Sequence, residues 1–343
     1  MKVLITGGAG FIGSHLAERL IAMGRQVVVL DDLSTGVKEN LSSILDHPRM
    51  RFVEGSVLER QLVGQLVGGA DLVVHLAAAV GVRYILDKPL STLKTNVNGT
   101  DNVLEAAARY GRKTLVASTS EVYGKNDGNA LCETADSVLG PASVSRWSYA
   151  TAKKLDEFLA LAYRQEYGLP VVVTRFFNIV GPRQRGRYGM VLPNFVRGAV
   201  AGEPIRVFGD GAQTRNFTFV ADCIVALVGL LEAPSAEGEV VNIGGTEEIS
   251  MRELADRVRH LAGSESPIVH VPYEEAYPEG SYEDMRRRVP CICKIGKLTG
   301  WSPTTTIDDM ILATIGHYRR ERLWRRGWIG SALPVAEAAV SLA

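Results

Sequence analysis

Tyr149 and Lys153 stand four residues apart in the run Tyr149-Ala-Thr-Ala-Lys153. On a helix that spacing places both side chains on one face. An ammonium beside a phenol favours the phenolate through opposite charge, and a phenolate is a general base for a hydroxyl proton. Upstream, Lys113-Thr-Leu-Val-Ala reads as a strand that ends in Ser118-Thr119-Ser120-Glu121-Val-Tyr-Gly. Thr119, leaving that strand end, is placed to donate a hydrogen bond to the oxygen on which Tyr149 acts. Together these residues specify redox chemistry at an alcohol.

The electron carrier is signalled at the N-terminus. The β-branched run Lys2-Val-Leu-Ile-Thr6 leads into Gly7-Gly-Ala-Gly10-Phe11-Ile12-Gly13, and a helical pattern follows from Ser14 to Met23. Glycines at 7, 10 and 13 permit a tight turn, close backbone approach to a pyrophosphate and close packing of helix on strand. The helix start offers free amides and the positive end of its dipole to phosphates. A second strand, Gln26-Val-Val-Val-Leu30, ends in Asp31. A carboxylate there accepts from the adenosine ribose hydroxyls and repels a 2′-phosphate, so the expected cofactor is NAD rather than NADP.

A length of 343 residues with 46% apolar content suits two domains or one large one. The 38 basic and 38 acidic residues balance, so no overall field favours nucleic acid or an anionic membrane. An anionic substrate must be met by local arginines. Cys132, Cys223, Cys291 and Cys293 are too scattered for a disulfide framework, and Cys291-Ile-Cys293 lacks the spacing and partner pair of a zinc site. No metal site is expected. A strand beginning at residue 2 leaves no room for a signal peptide, and no apolar run has the length of a membrane span. The expected setting is the cytoplasm.

Apolar runs near residues 26–30, 71–76, 113–118 and 170–175 alternate with helix-length segments. This is the rhythm of an α/β fold, a doubly wound parallel sheet with a smaller C-terminal α/β lobe. The expected units are a cofactor domain over 1–175, rejoined by 219–245, a substrate lobe over 176–328 and a tail over 329–343. Asn96–Arg109 and Leu155–Tyr163 read as helices with apolar residues on more than one stripe.

The chain resembles the extended short-chain dehydrogenases/reductases, the superfamily of nucleotide-sugar epimerases, dehydratases and decarboxylases. Besides the motifs above, Asp31-Asp32-Leu-Ser34-Thr35-Gly36, His75-Leu76-Ala77-Ala78, Arg175-Phe176-Phe-Asn178 and Gly181-Pro-Arg183 fall in that superfamily's order. The resemblance implies that Gly7, Gly10, Phe11, Ile12, Gly13, Asp31, Asp32, Ser34, Thr35, Gly36, Ser56, Val57, Leu76, Ala77, Ala78, Ser118, Tyr149, Lys153 and Phe176 surround NAD. Ser56 stands where an aspartate commonly contacts the adenine. For the nucleotide sugar it implies Tyr84, Asn178, Val191 within Met190–Phe195, Phe208 and Arg215, with smaller weight on Arg183 and Arg187. An aromatic such as Phe208 packs on a flat base, and Arg215 grips diphosphate oxygens through a forked contact. It also implies a homodimer through a four-helix interface.

Three chemistries share this scaffold. Dehydratases place an Asp-Glu pair after the Ser-Thr, whereas this chain has Ser120 before Glu121. Epimerases usually lack a glutamate at the position of Glu121. Ser118–Gly124 is most similar to UDP-glucuronate decarboxylases, related to UDP-xylose synthases, and Arg286-Arg287-Arg288-Val-Pro290 resembles their Arg-Lys-Pro segment. Arg146-Trp-Ser-Tyr149 resembles bacterial decarboxylases that release a 4-keto pentose. The resemblance thus implies Thr119, Glu121, Tyr149, Lys153 and Arg288 as catalytic residues acting on UDP-glucuronate, with UDP-4-keto-pentose or UDP-xylose as product. Glu121 orders a water, repels a tightly held carboxylate or serves as a structural glutamate on backbone amides. A 4-epimerase of a UDP-hexose or UDP-uronic acid is the alternative enzyme, and a nucleotide-sugar or NAD sensor the alternative class.

Overall fold

The computed structural model describes residues 1–80, 88–126, 130–186, 190–276, 285 and 287–325. Six short strands open the chain: β1 (Lys2–Thr6), β2 (Gln26–Asp31), β3 (Met50–Glu54), β4 (Leu72–His75), β5 (Lys113–Thr119) and β6 (Val171–Phe176). Most are runs of Val, Ile and Leu buried along nearly their whole length, as strands covered on both faces must be. Helices α1 (Phe11–Ala22), α2 (Arg60–Gly68), α3 (Pro89–Tyr110) and α4 (Trp147–Tyr167) connect them and supply that cover. Left-handed glycines Gly111 and Gly168 close α3 and α4.

Beyond β7 (Ile179–Val180) and α5 (Val191–Ala201), the chain forms β8 (Ile205–Phe208), β9 (Thr214–Asn216), β10 (Thr218–Phe219), α6 (Val220–Glu232) and β11 (Val240–Ile243). The main sheet is seven-stranded and parallel, in the order β11-β6-β5-β4-β1-β2-β3. α6 packs with α1 through Ile224, Leu227, Leu16 and Leu20. A second core holds Phe195, Ile205, Leu254 and Ile311, drawn from α5, β8, α7 (Met251–Leu261) and a long helix over Ile307–Arg325. Around it, β9 pairs antiparallel with β12 (Glu248–Ser250), and β8 parallel with β13 (Ile268–Val271). Between β13 and the long helix, α8 (Cys293–Thr299) packs against α6 and β11, which makes the long helix α9. No helix among the described residues is long and apolar enough to cross a membrane.

Strand order reverses between β1 and β4, so their carboxyl ends splay apart and leave a crevice. The β1–α1 turn closes onto that point. Gly7 has φ +72°, and a Cβ there would stand 2.7 Å from the Ala77 nitrogen just past β4; one on Gly13 would stand 2.4 Å from the Gly7 carbonyl oxygen. Neither position admits another residue without moving backbone.

Two buried polar sets underlie the crevice. His75, at the end of β4, hydrogen-bonds Thr6 Oγ1 at 2.7 Å through Nδ1 and Thr100 Oγ1 at 3.1 Å through Nε2. Between α4 and the sheet, Arg175 Nε and Nη2 donate to Glu157 at 2.8 and 2.7 Å, and Ser118 Oγ donates to the same carboxylate at 2.6 Å.

Burial, with the nearby Lys153 charge adding to it, pushes the His75 pKa down from 6.5 to about 3. An unfolded chain therefore takes up a proton that the fold refuses. This contribution to stability is complete above pH 6.5 and erodes as pH falls toward 3. NMR of the imidazole nitrogens should show His75 neutral at pH 5, and a protonated ring there would contradict the buried assignment. Arg175→Met should strand the Glu157 charge and cost about 3 kcal/mol in urea unfolding. Pairing it with Glu157→Gln should recover much of that loss; equal loss in the double variant would show that packing, not charge, is responsible.

Candidate active site

A cavity of about 1140 Å³ opens at the carboxyl ends of the sheet, walled by the β1–α1 turn on one side and by the C-terminal half on the other. Every cofactor residue named from the sequence lines it except Gly36, which lies behind the wall: a Cβ there would meet the Ala9 backbone at 2.9 Å and Asp31 Oδ1 at 3.0 Å. Thr119, Glu121, Tyr149, Asn178, Val191, Phe208, Arg215 and Arg288 line the same cavity. Tyr84, Arg187, Arg286 and the tail over 329–343 lie outside the described residues.

The turn fits a dinucleotide. α1 starts at Gly10 with no side-chain cap, so the amides of its first turn lack the partner that a capping side chain would give them. A Cβ at Gly10 would meet only the Gly7 oxygen, at 3.1 Å, within the distance limit of close contact; beyond that lies the space an approaching phosphate needs. Asp31 is buried at the end of β2, with Oδ2 accepting from Ala9 N–H and Oδ1 from Leu33 N–H, both at 2.9 Å. Burial pushes its carboxyl up, and the two amides oppose that. The carboxylate is thus fixed in place on the cavity wall. Among the described residues, no group of His, Cys, Asp or Glu could hold a metal ion.

Thr119 ends β5 and caps the 3₁₀ turn Ser120–Tyr123, its Oγ1 accepting from Glu121 N–H at 3.2 Å. The same side chain lies beside Tyr149, in the first turn of α4, close enough to influence its ionisation. Burial raises the Tyr149 phenol pKa well above its ordinary value, the Glu121 and Asp156 charges raise it further, and Thr119 opposes them. Lys153 Nζ donates to Ala117 O at 3.0 Å and pairs with Asp156 at 3.1 Å, buried one turn further along α4. A buried ammonium needs a counter-charge and acceptors, and the backbone end of β5 with Asp156 provides both. Positive charge near the phenol would offset these effects and favour the phenolate.

Glu121 is the centre of the opposite wall. One oxygen accepts from Arg288 Nη1, and the other pairs with Arg146 Nη2 at 3.1 Å. Arg215 adds charge from β9. Burial alone would lift the Glu121 pKa, but Arg288 and Arg146 outweigh it and hold it at about 2. Its carboxylate goes to guanidinium groups rather than to backbone amides. Arg288 also donates through Nη2 to Asn178 Oδ1 at 3.3 Å, and Asn178 Nδ2 donates to Asn216 O at 2.8 Å. Asn178 holds φ +42°, a conformation asparagine tolerates better than most residues. Phe208 is half exposed at the rim near Tyr273, whose hydroxyl accepts from Gln213 Nε2 at 3.0 Å.

Arg146 was absent from the expected site set, although it stands three residues before Tyr149 and so one helical turn from it. That spacing was the available signal. Tyr273 carried none, because its place in the wall depends on where β13 delivers it. Arg183, given little weight from sequence, also lines the cavity and is tied to α1 through Ser14 Oγ at 3.2 Å and Glu18 at 2.5 Å.

The model of the NAD dependent epimerase/dehydratase family matches residues 3–244. Among curated proteins, the UDP-N-acetyl-alpha-D-glucosaminuronate decarboxylase of Bacillus cytotoxicus is 40% identical over 93% of this chain and 98% of its own length. The UDP-glucuronic acid decarboxylase 1 of Xenopus tropicalis is 35% identical over 93% of this chain and 72% of its own. Among solved structures, the UDP-glucuronic acid 4-epimerase of Bacillus cereus, in complex with UDP-glucuronic acid and NAD, aligns with a TM-score of 0.85 at 29% identity, covering 94% of this chain and all of that one. With a parallel seven-stranded sheet, a glycine turn at its switch point and a family match over most of its length, the chain belongs to the NAD dependent epimerase/dehydratase family.

Proposed function

We propose that this chain is an NAD-dependent decarboxylase of a UDP-linked uronic acid, UDP-glucuronate. The observation that carries the reading is the meeting of Glu121, Arg146 and Arg288 in the cavity that also holds the Thr119–Tyr149 pair. It sets a cationic wall for a sugar carboxylate beside donors aimed at one sugar oxygen. The relatives named as decarboxylases support it.

When bound, NAD supplies a reversible hydride acceptor at carbon 4, so the end product is the 4-keto pentose or its reduced form, UDP-xylose. The glycine turn and the first amides of α1 hold the cofactor phosphates, and Asp31 holds the ribose hydroxyls. Tyr149 takes the 4-hydroxyl proton while Thr119 steadies the oxygen. A ketone at carbon 4 makes the carbon 6 carboxylate a β-keto acid. Its carbon–carbon bond then breaks, and the electron pair flows into an enolate. Tyr149, now protonated, and Thr119 hold the oxyanion, so the same donors serve both steps. Arg288 faces the departing carboxylate and carbon 5, where a proton returns. Arg215 and Phe208 hold the diphosphate and base. In this reading residues 1–175 with 219–245 form the cofactor unit and 176–328 the substrate lobe. Four free cysteines fit the reducing cytoplasm.

The test is product analysis. Purified protein is incubated with UDP-glucuronate and, in parallel, with UDP-N-acetyl-alpha-D-glucosaminuronate, the compound for which the 40% identical relative is named. Carbon dioxide release with a UDP-pentose from UDP-glucuronate is expected. An equal-mass uronic acid without gas release would transfer the chain to the 4-epimerases, and binding without turnover would make it a sensor. Tyr149→Phe should lower turnover by roughly 100-fold or more with nucleotide-sugar affinity largely kept; near-normal turnover would remove the phenol from the mechanism.

A homodimer completes the reading. α3 and α4 pack side by side and leave Leu90, Leu155, Phe158 and Tyr167 exposed, with Phe158 62% accessible. A patch of this kind on one helix pair suits a self-complementary interface. Light scattering should give twice the chain mass at micromolar concentration, and Phe158→Glu should shift it to one. A monomeric wild type would overturn this arrangement.

A further inference from the structure

Three of the four cysteines meet at one place on the surface, away from the cavity lining. Leu131 and Pro290 form a parallel bridge, with Leu131 N–H donating to Val289 O at 2.9 Å and Cys291 N–H to Leu131 O at 3.0 Å. The next residue on one segment is Cys132, and on the other Cys291. Neighbouring parallel strands run about 4.8 Å apart, inside the ~4.4–6.8 Å between Cα atoms that a disulfide requires. The two thiols are near enough for each to shift the ionisation of the other. Cys132 is exposed and Cys291 partly so, which gives a small solute access to both.

The backbone around the pair is held firmly. Asn242 Nδ2 donates to Leu131 O at 2.8 Å and to Cys291 O at 3.2 Å, and Asn242 N–H donates to Glu133 Oε1 at 2.9 Å. Tyr123 OH fixes the other end of that amide at 2.8 Å. The thiols are therefore presented by two segments that are already registered. The backbone N–H of Cys293 donates to the Cys291 sulfur and lowers its pKa, whereas sharing with Cys291 raises the thiols of Cys132 and Cys293. Cys291 is thus the thiol readiest to act as a nucleophile.

We propose that Cys132 and Cys291 form a thiol–disulfide exchange site whose co-reactant is a low-molecular-weight disulfide. The Cys291 thiolate attacks one sulfur of that disulfide, which forms a mixed disulfide and expels the first small thiolate. The Cys132 thiolate then attacks the Cys291 sulfur, which closes the protein disulfide and expels the second. Two protein thiols are oxidised, one external disulfide is reduced to two thiols, and the two protein S–H protons pass to the expelled thiolates. The bond would tie the segment after Tyr123 to the one that carries Arg288, three residues before Cys291. The site stands on these contacts alone and is independent of the decarboxylase reading.

Oxidised glutathione is the probe. The full chain is incubated with it or with dithiothreitol, alkylated, digested and mapped by mass spectrometry. The expected product is a Cys132–Cys291 linked peptide, with buried Cys223 alkylated only after unfolding in both samples. Cys132→Ser should abolish the cross-link and leave glutathione bound at Cys291. Cys293→Ser should leave the cross-link in place, and circular dichroism checks that each variant is folded. A Cys291–Cys293 link, a link between chains, or glutathione resting on Cys132 in the wild type would overturn the proposal, as would four free thiols after treatment.

Discussion

A carboxylate gripped by two buried guanidinium groups is the constraint on which the site depends. Arg146 and Arg288 are each only 7% accessible. A buried cation without a counter-charge costs several kcal/mol, so Glu121 is what allows both to sit at the cavity wall. The three arrive from separate places: the turn after β5, the start of α4 and the segment before α8. Their pairing therefore fastens the C-terminal half to the sheet at the point where the cavity needs walls from both. Because Glu121 titrates near pH 2, the fastening holds through the whole physiological range. Two arginines on one carboxylate leave a net positive charge, with Arg215 nearby to add to it.

The same wall explains the state of the phenol opposite. Glu121 opposes ionisation of Tyr149 through its charge, and Asp156 does so from below. Lys153 is occupied with Asp156 and the Ala117 carbonyl. The lysine charge lies beside a buried polar layer of His75, Thr6 and Thr100 beneath the strand ends.

The strand ends tie the main sheet and the second core to one geometry. β5 gives Ser118 to the buried Glu157–Arg175 pair and sets Thr119 beside Tyr149, so successive residues of one strand end brace the helix and aim the donor. β6 then supplies Arg175 to that pair and leads to Asn178, which receives Arg288. A shift of either strand by one residue would exchange bracing and aiming side chains.

The local motifs were legible in the sequence. Gly7 to Gly13 between a β-branched run and a helical one means a phosphate turn wherever the chain folds, because backbone freedom and helix amides are properties of neighbours. The alternation of apolar runs with helix-length segments likewise led to the parallel sheet, and the Thr119–Tyr149 pairing followed from a strand end and a helix start. The tertiary structure alone decided where the charged side chains spend their contacts. Tyr149 and Lys153 share a face, as four residues on a helix must, but burial drew the ammonium to Asp156 and Ala117, and spacing says nothing of burial. Glu121 and Arg288 are separated by 167 residues, and Cys132 and Cys291 lie comparably far apart. Nothing in either local sequence names the other, since long-range pairs are set by which segments the sheet and its connections bring side by side.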